Sequence, residues 1–167
     1  GSVIWSRALH FGRCLWRWRY GAIAALSGLV GVSSQAMGQM SQKQECIDVN
    51  GSLQERFVHC SKWLDTGLEG RELSRALVTR AMVADVGSIG GPEFALNSAA
   101  SDLLAALDVG IDRRPIMLEL AALYARHQRF DDALGTIERA LTEFPDDTQF
   151  FLLGSKIHYQ RFLEEKN

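Results

Sequence analysis

The sequence lacks the short motifs that carry catalysis or that bind metals and nucleotides. It contains no nucleophile elbow, and the glycine-rich stretch 87–92 lacks the Lys-Ser/Thr pair of a phosphate-binding loop. The histidines, His10, His59, His127 and His158, are scattered, and no Cys or His residues are spaced as zinc ligands on a shared turn. These absences predict a protein that is not an enzyme and that needs no metal or cofactor.

Acidic side chains are missing from the start of the chain, where the first one is Glu45. Residues 3–19 are basic and aromatic, and an apolar run and then small residues follow without any charge. This order is typical of a signal sequence. We therefore predict a signal peptide over residues 1–38, cleaved after Ala36 or Gly38, and an exported, periplasmic location for the rest.

Two other interpretations of this leader remain open. The uncharged stretch 20–42 is about as long as the roughly 20 residues that span a bilayer, so it could stay as an inner-membrane anchor. Trp5, Trp16 and Trp18 would then lie at the membrane interface, in a structural or assembly subunit of a larger membrane complex. An arginine-rich leader without acidic residues is also compatible with an organellar transit peptide.

The charge of the remaining chain argues against a nucleic-acid partner. Removing the four arginines of residues 1–38 from the 18 basic residues leaves 14 against 20 acidic ones, a net charge of −6. Nucleic-acid binders normally present a basic stripe that offsets phosphate charge. With 47% apolar and 23% charged residues, the chain has the composition of a folded globular protein.

Two of the three cysteines, Cys46 and Cys60, lie beyond the leader. In an oxidising compartment they can close a loop of roughly fifteen residues, which stabilises the fold by about 3 kcal/mol. Such a disulfide would join an N-terminal strap, residues 39–51, to the first helix. The alternative is that both are small, buried apolar residues.

From Ser52 onward, apolar residues recur at helical spacing, and no segment alternates as a strand does. Glycine and proline clusters divide the region into six segments, and Ser52 with Glu55 forms a capping box at the first. The predicted helices cover 52–66, 70–86, 92–109, a segment from about 115, 130–144 and 147–164. Short connections favour antiparallel neighbours, so 52–167 is predicted to be an all-α domain of stacked helical hairpins.

Residues 114–147, RPIMLELAALYARHQRFDDALGTIERALTEFPDD, resemble a tetratricopeptide repeat over its full length. The residues at the family's spacing are Leu120, Ala121, Tyr124, Phe130, Ala133, Ala140 and Pro145. The resemblance implies that Ala121 and Ala133 let two helices approach closely, while Tyr124 and Phe130 fill the gaps beside them.

A weaker upstream copy of the repeat uses Ala81, Ala99 and Ala106, with about six additional residues in the loop 87–94. The chain is thus predicted to be a short solenoid of about two repeats. The helices 52–66 and 147–164 cap it. In this arrangement, residues 41–167 resemble small exported repeat proteins of alphaproteobacteria.

The resemblance implies a protein–protein interaction scaffold whose first helices line a concave face. That face is expected to hold a protein or peptide partner outside the cytoplasm. Family members that grip a C-terminal carboxylate use Asn and Lys where Glu119 and Ala122 stand here, so capture of a chaperone tail is not expected. The predicted partner-binding residues are Val78, Thr79, Met82, Asp85, Leu118, Glu119, Ala122 and Arg126.

The last helix has a surplus of apolar residues. This helix carries Phe151, Leu152, Ile157 and Phe162 among charged residues, and the aromatic residues of the last forty positions are Phe144, Phe150, Phe151, Tyr159 and Phe162. Packing against the fifth helix is one interpretation. The other is a contact with a partner or a second copy, since apolar patches at solenoid ends invite association and a homo-oligomer.

Overall fold

A computed structural model describes residues 37, 38 and 40–166 of the chain. The predicted signal peptide or anchor, residues 1–38, therefore lies almost wholly outside the described residues. Residues 1–40 and 41–167 form two separate compact units. Only Met37, Gly38 and Met40 of the first unit are described, and all three are helical.

The second unit is all-helical within its described residues, 41–166, as the apolar spacing predicts. Its helices, after a short helical segment at 41–47, are α1 (Leu53–Leu64), α2 (Gly70–Val86), α3 (Pro92–Val109), α4 (Arg113–Arg126), α5 (Phe130–Glu143) and α6 (Thr148–Glu164). Each helix packs on the next along the chain, and α4 also contacts α6. The result is a stack of consecutive helical hairpins, which confirms the predicted fold class.

Local chemistry sets the ends of these helices. The Ser52 side chain caps α1 by accepting a hydrogen bond from the backbone N–H of Glu55, and its hydroxyl donates to the Glu55 carboxylate. Gly110 ends α3 at a φ of 78°, which favours glycine. Helix α4 begins at Arg113, earlier than predicted, because Pro115 fits within a first turn where no backbone donor is needed.

Alanines allow the helices to approach closely. Residues Ala81, Ala84, Ala99, Ala106, Ala121, Ala133 and Ala140 are all buried in one core that spans α2 to α6. Leu103, Met117 and Leu120 fill the space between them. A larger side chain at any of these alanine positions would push two backbones apart.

Of the aromatic residues noted on α6, Phe150 packs in the core, whereas Phe151, Tyr159 and Phe162 do not. Phe151, Leu152 and Phe162 are exposed, and the buried residues are Phe150, Gly154 and Ile157. Apolar residues surround this helix, so their spacing does not decide which face is covered. The covered face is the one that carries Phe150, Gly154 and Ile157, and Gly154 lies there close to the Ile137 side chain of α5.

Within the predicted strap, residues 41–47 are helical, and a disulfide between Cys46 and Cys60 holds this segment to α1. The two cysteines form a small second core with Trp63 and Ala76. Around it, the Arg56 guanidinium donates to the Cys46 carbonyl oxygen at 3.1 Å. The cross-link therefore fastens the N-terminal end of the stack, with a stabilising effect of about 3 kcal/mol from loop closure.

Candidate binding groove between two parallel helices

Helices α2 and α4 lie side by side, separated in sequence by α3, and leave a groove of about 520 Å³. Ion pairs cross it at both ends. Arg71, at the start of α2, faces Asp112 at the start of α4, and Asp85 faces Arg126 at their ends. The two helices therefore run parallel, as equivalent helices of successive hairpins do.

The groove is lined by both apolar and polar side chains. Its lining consists of Arg71, Ser74, Arg75, Val78, Thr79 and Met82 from α2, and of Asp112, Pro115, Ile116 and Glu119 from the start of α4. Met82 is 49% exposed, which is high for a methionine so close to the core. An extended or helical segment of another chain could cover these apolar side chains.

Half of the predicted partner-binding residues line this groove. They are Val78, Thr79, Met82 and Glu119. Leu118 and Ala122 do not line it, because the groove edge of α4 is formed by Pro115, Ile116 and Glu119. Leu118 is half-buried against the core instead.

Asp85 and Arg126, the remaining two predicted residues, are engaged with each other. Arg126 Nε and Nη2 both donate to Asp85 Oδ2, at 3.0 and 2.7 Å. Nη2 also donates to Glu119 Oε1 at 2.8 Å. Burial lowers the pKa of Arg126, but the hydrogen bonds to Glu119 and Asp85 outweigh it and raise the pKa overall. His127 Nε2 lies 2.7 Å from the other Asp85 oxygen. This cluster fixes the spacing of α2 and α4.

Sequence reasoning missed the first half of the groove. Arg71, Ser74 and Arg75 lie one and two turns before Val78, so they share its face of α2. The helical spacing that selected Val78 could have been followed back to the start of the helix. Asp112, Pro115 and Ile116 follow from the same extension on α4.

The residues at the positions of the predicted repeat differ in burial. Leu120, Ala121, Ala133 and Ala140 are fully buried, while Tyr124 and Phe130 are half-buried against the same core. Pro145 is exposed directly after α5. Burial raises the pKa of the Tyr124 hydroxyl, as expected for a ring at the edge of a core.

Within residues 40–166, no group of His, Cys, Asp and Glu side chains could hold a metal ion. None of the described helices combines the length and the apolarity needed to cross a bilayer. Comparisons with protein-family models, with curated proteins and with solved structures gave no match.

Proposed function

We propose that the protein is a binding scaffold of the tetratricopeptide type, which holds a segment of a partner protein in the groove between α2 and α4. The observation that carries this proposal is the groove itself. Its lining includes Met82, which is 49% exposed, the half-buried Val78 and the buried Ile116, together with charged side chains from both helices. Peptide-binding grooves combine the same features, since apolar contacts supply affinity and polar rims supply specificity.

The repeat resemblance of residues 114–147 supports this proposal. In stacked hairpins, the first helices of neighbouring repeats line one surface, and α2 and α4 hold those positions here. Binding requires no chemical step, so the function needs neither a metal nor a cofactor.

The groove can be tested with a displayed library of random dodecapeptides, selected on the full chain. Peptides recovered from it would be synthesised with a fluorescent label and titrated by fluorescence anisotropy. Met82→Glu is expected to weaken their binding at least tenfold, because a carboxylate would then be desolvated against an apolar ligand side chain.

Val86→Glu is the matched control, since Val86 lies one turn further along α2, is 72% exposed and does not line the groove. The affinity of Val86→Glu for the selected peptides should stay within about twofold of the affinity of the original chain. Circular dichroism would establish that both variants are folded. Equal losses in both variants, or a library from which nothing is enriched, would refute a peptide site here.

We also propose that the chain is exported and works in an oxidising compartment. The disulfide between Cys46 and Cys60 supports this, because such bonds persist mainly outside the cytoplasm. The intact mass of protein from soluble and membrane fractions, with and without reductant, tests it. We expect a soluble form that begins near Gln39 and gains the mass of two hydrogen atoms on reduction. Full-length protein confined to membranes would favour the anchored subunit, and reduced cysteines would contradict export.

A further inference from the structure

Among the described residues, three polar side chains are buried: Ser74, Asp102 and Thr136. Asp102 accepts two hydrogen bonds from Arg80, and the Thr136 hydroxyl donates to the Asp132 carbonyl oxygen. Ser74, which is only 4% exposed, has no side-chain hydrogen bond to any residue that the structure describes. Buried hydroxyls normally have a partner, because leaving one unpaired costs about 1–3 kcal/mol.

The hydroxyl of Ser74 is open to the groove. The hydroxyls of Thr79 on α2 and of Ser61 on α1 donate to the carbonyl oxygen four residues earlier, and that of Ser74 does not. In the described part of the chain, every fully buried side-chain oxygen or nitrogen has a hydrogen-bond partner. The Ser74 oxygen has none, so it must keep some access to solvent. The groove, which Ser74 lines, provides that access.

Arg75, the next residue, is also without a partner. Of the arginines that the structure describes, only Arg75 and Arg139 make no ion pair and no side-chain hydrogen bond. Arg75 lines the groove, whereas Arg139 lies on α5 and does not. An unpaired guanidinium thus lies beside an unpaired hydroxyl on the wall of one groove.

The acidic residues of the groove do not neutralise Arg75. Glu119 is held by Arg126 at 2.8 Å, and Asp112 lies 3.4 Å from Arg71. The lining carries two positive and two negative side chains, and Arg75 is the one among them without an ion pair. Its natural complement is a carboxylate, which can accept hydrogen bonds from a guanidinium and from a hydroxyl together.

Two apolar residues of the groove lining lie at a defined distance from Arg75 along α2. Val78 and Met82 lie one and two turns beyond Arg75 on α2, which is roughly 5–10 Å along the helix axis. Two residues of an extended peptide span about 7 Å, and side chains two apart point to the same face. An acidic side chain and an apolar side chain at this separation can therefore contact Arg75 and the Val78–Met82 surface at the same time.

Resting on the proposed function, we propose that the groove selects an extended acidic peptide segment. It carries an Asp or Glu two residues from a bulky apolar residue. The carboxylate accepts hydrogen bonds from Arg75 and Ser74, and the apolar side chain covers Val78 and Met82.

Selection of the same random dodecapeptide library on four full-length proteins tests this: the original chain, Arg75→Ala, Arg75→Glu and, as the matched control, Arg139→Glu. The original chain and Arg139→Glu should both enrich acidic residues two positions from an apolar one. Arg75→Glu should enrich Lys or Arg at that position instead. This reversal requires a folded groove, so it separates lost recognition from lost structure.

Affinities of one selected peptide complete the test. Arg75→Ala should weaken the Glu-containing peptide roughly five- to tenfold and leave its Gln counterpart nearly unchanged. Ser74→Ala should weaken the same peptide by a smaller factor. If peptides bind and Met82→Glu abolishes their binding, but Glu and Gln versions bind equally, the acidic preference is refuted and the groove stands. If no peptide is enriched, both proposals fail.

Discussion

Replacing Phe150 by alanine is expected to lower the free energy of unfolding by about 3–5 kcal/mol. The ring is fully buried where α6 packs on the core, and it stacks on Phe144 with 6.1 Å between the ring centroids. Its removal takes away apolar burial and leaves a cavity between α5 and α6. Urea unfolding followed by circular dichroism measures the loss.

Phe151→Ala is the control for this substitution. Phe151 is the next residue of the same helix and is 54% exposed, so its removal should change the free energy of unfolding by less than about 1 kcal/mol. Similar losses at both positions would mean that the two faces of α6 are buried alike, in contradiction to the packing at Gly154. The comparison therefore tests the orientation of α6 directly.

Replacing Asp102 by alanine is expected to be comparably destabilising, by about 3 kcal/mol or more. Asp102 accepts from Arg80 at 2.6 and 2.8 Å, and the same guanidinium donates to Ser61 at 3.3 Å. This network joins α1, α2 and α3. The hydrogen bond to Asp102 raises the pKa of Arg80 in spite of its partial burial, so without Asp102 a half-buried cation would stay charged and unpaired.

Asp108→Ala provides the control, because Asp108 is exposed on the same helix and makes no hydrogen bond or ion pair to the described residues. It should unfold at nearly the same urea concentration as the original chain. The double variant Arg80→Met with Asp102→Leu should recover much of the loss, since apolar residues can replace a buried ion pair. If Asp102→Ala were as mild as Asp108→Ala, the network would be of no importance for stability.

Most helix ends could be predicted because local chemistry sets them. Gly70, Pro92, Gly110 and Phe130 each begin or end a helix where the sequence places it, since breakers and caps act within one turn. The exposed side of α6 could not be predicted in the same way. Its face depends on which of several apolar residues meets Ile137, a contact between different helices.

The groove was predictable in part for a related reason. Helical spacing places Val78, Thr79 and Met82 on one face of α2, and all three line the groove. The repeat resemblance predicts that this face is turned towards α4. Asp85 and Arg126 are 41 positions apart in the sequence, so no local sequence pattern predicts that they pair. The unpaired state of Ser74 and Arg75 likewise becomes visible only once every neighbouring side chain is in place.

The two ion pairs that cross the groove limit the length of any ligand lying between them. Arg71 and Asp85 are roughly 21 Å apart along α2, at a rise of 1.5 Å per residue. An extended chain covers that distance with about six residues. If the proposed ligand lies along α2, a longer segment must pass over the Asp85–Arg126 contact or displace it. We therefore expect that peptides longer than about six residues gain little further affinity.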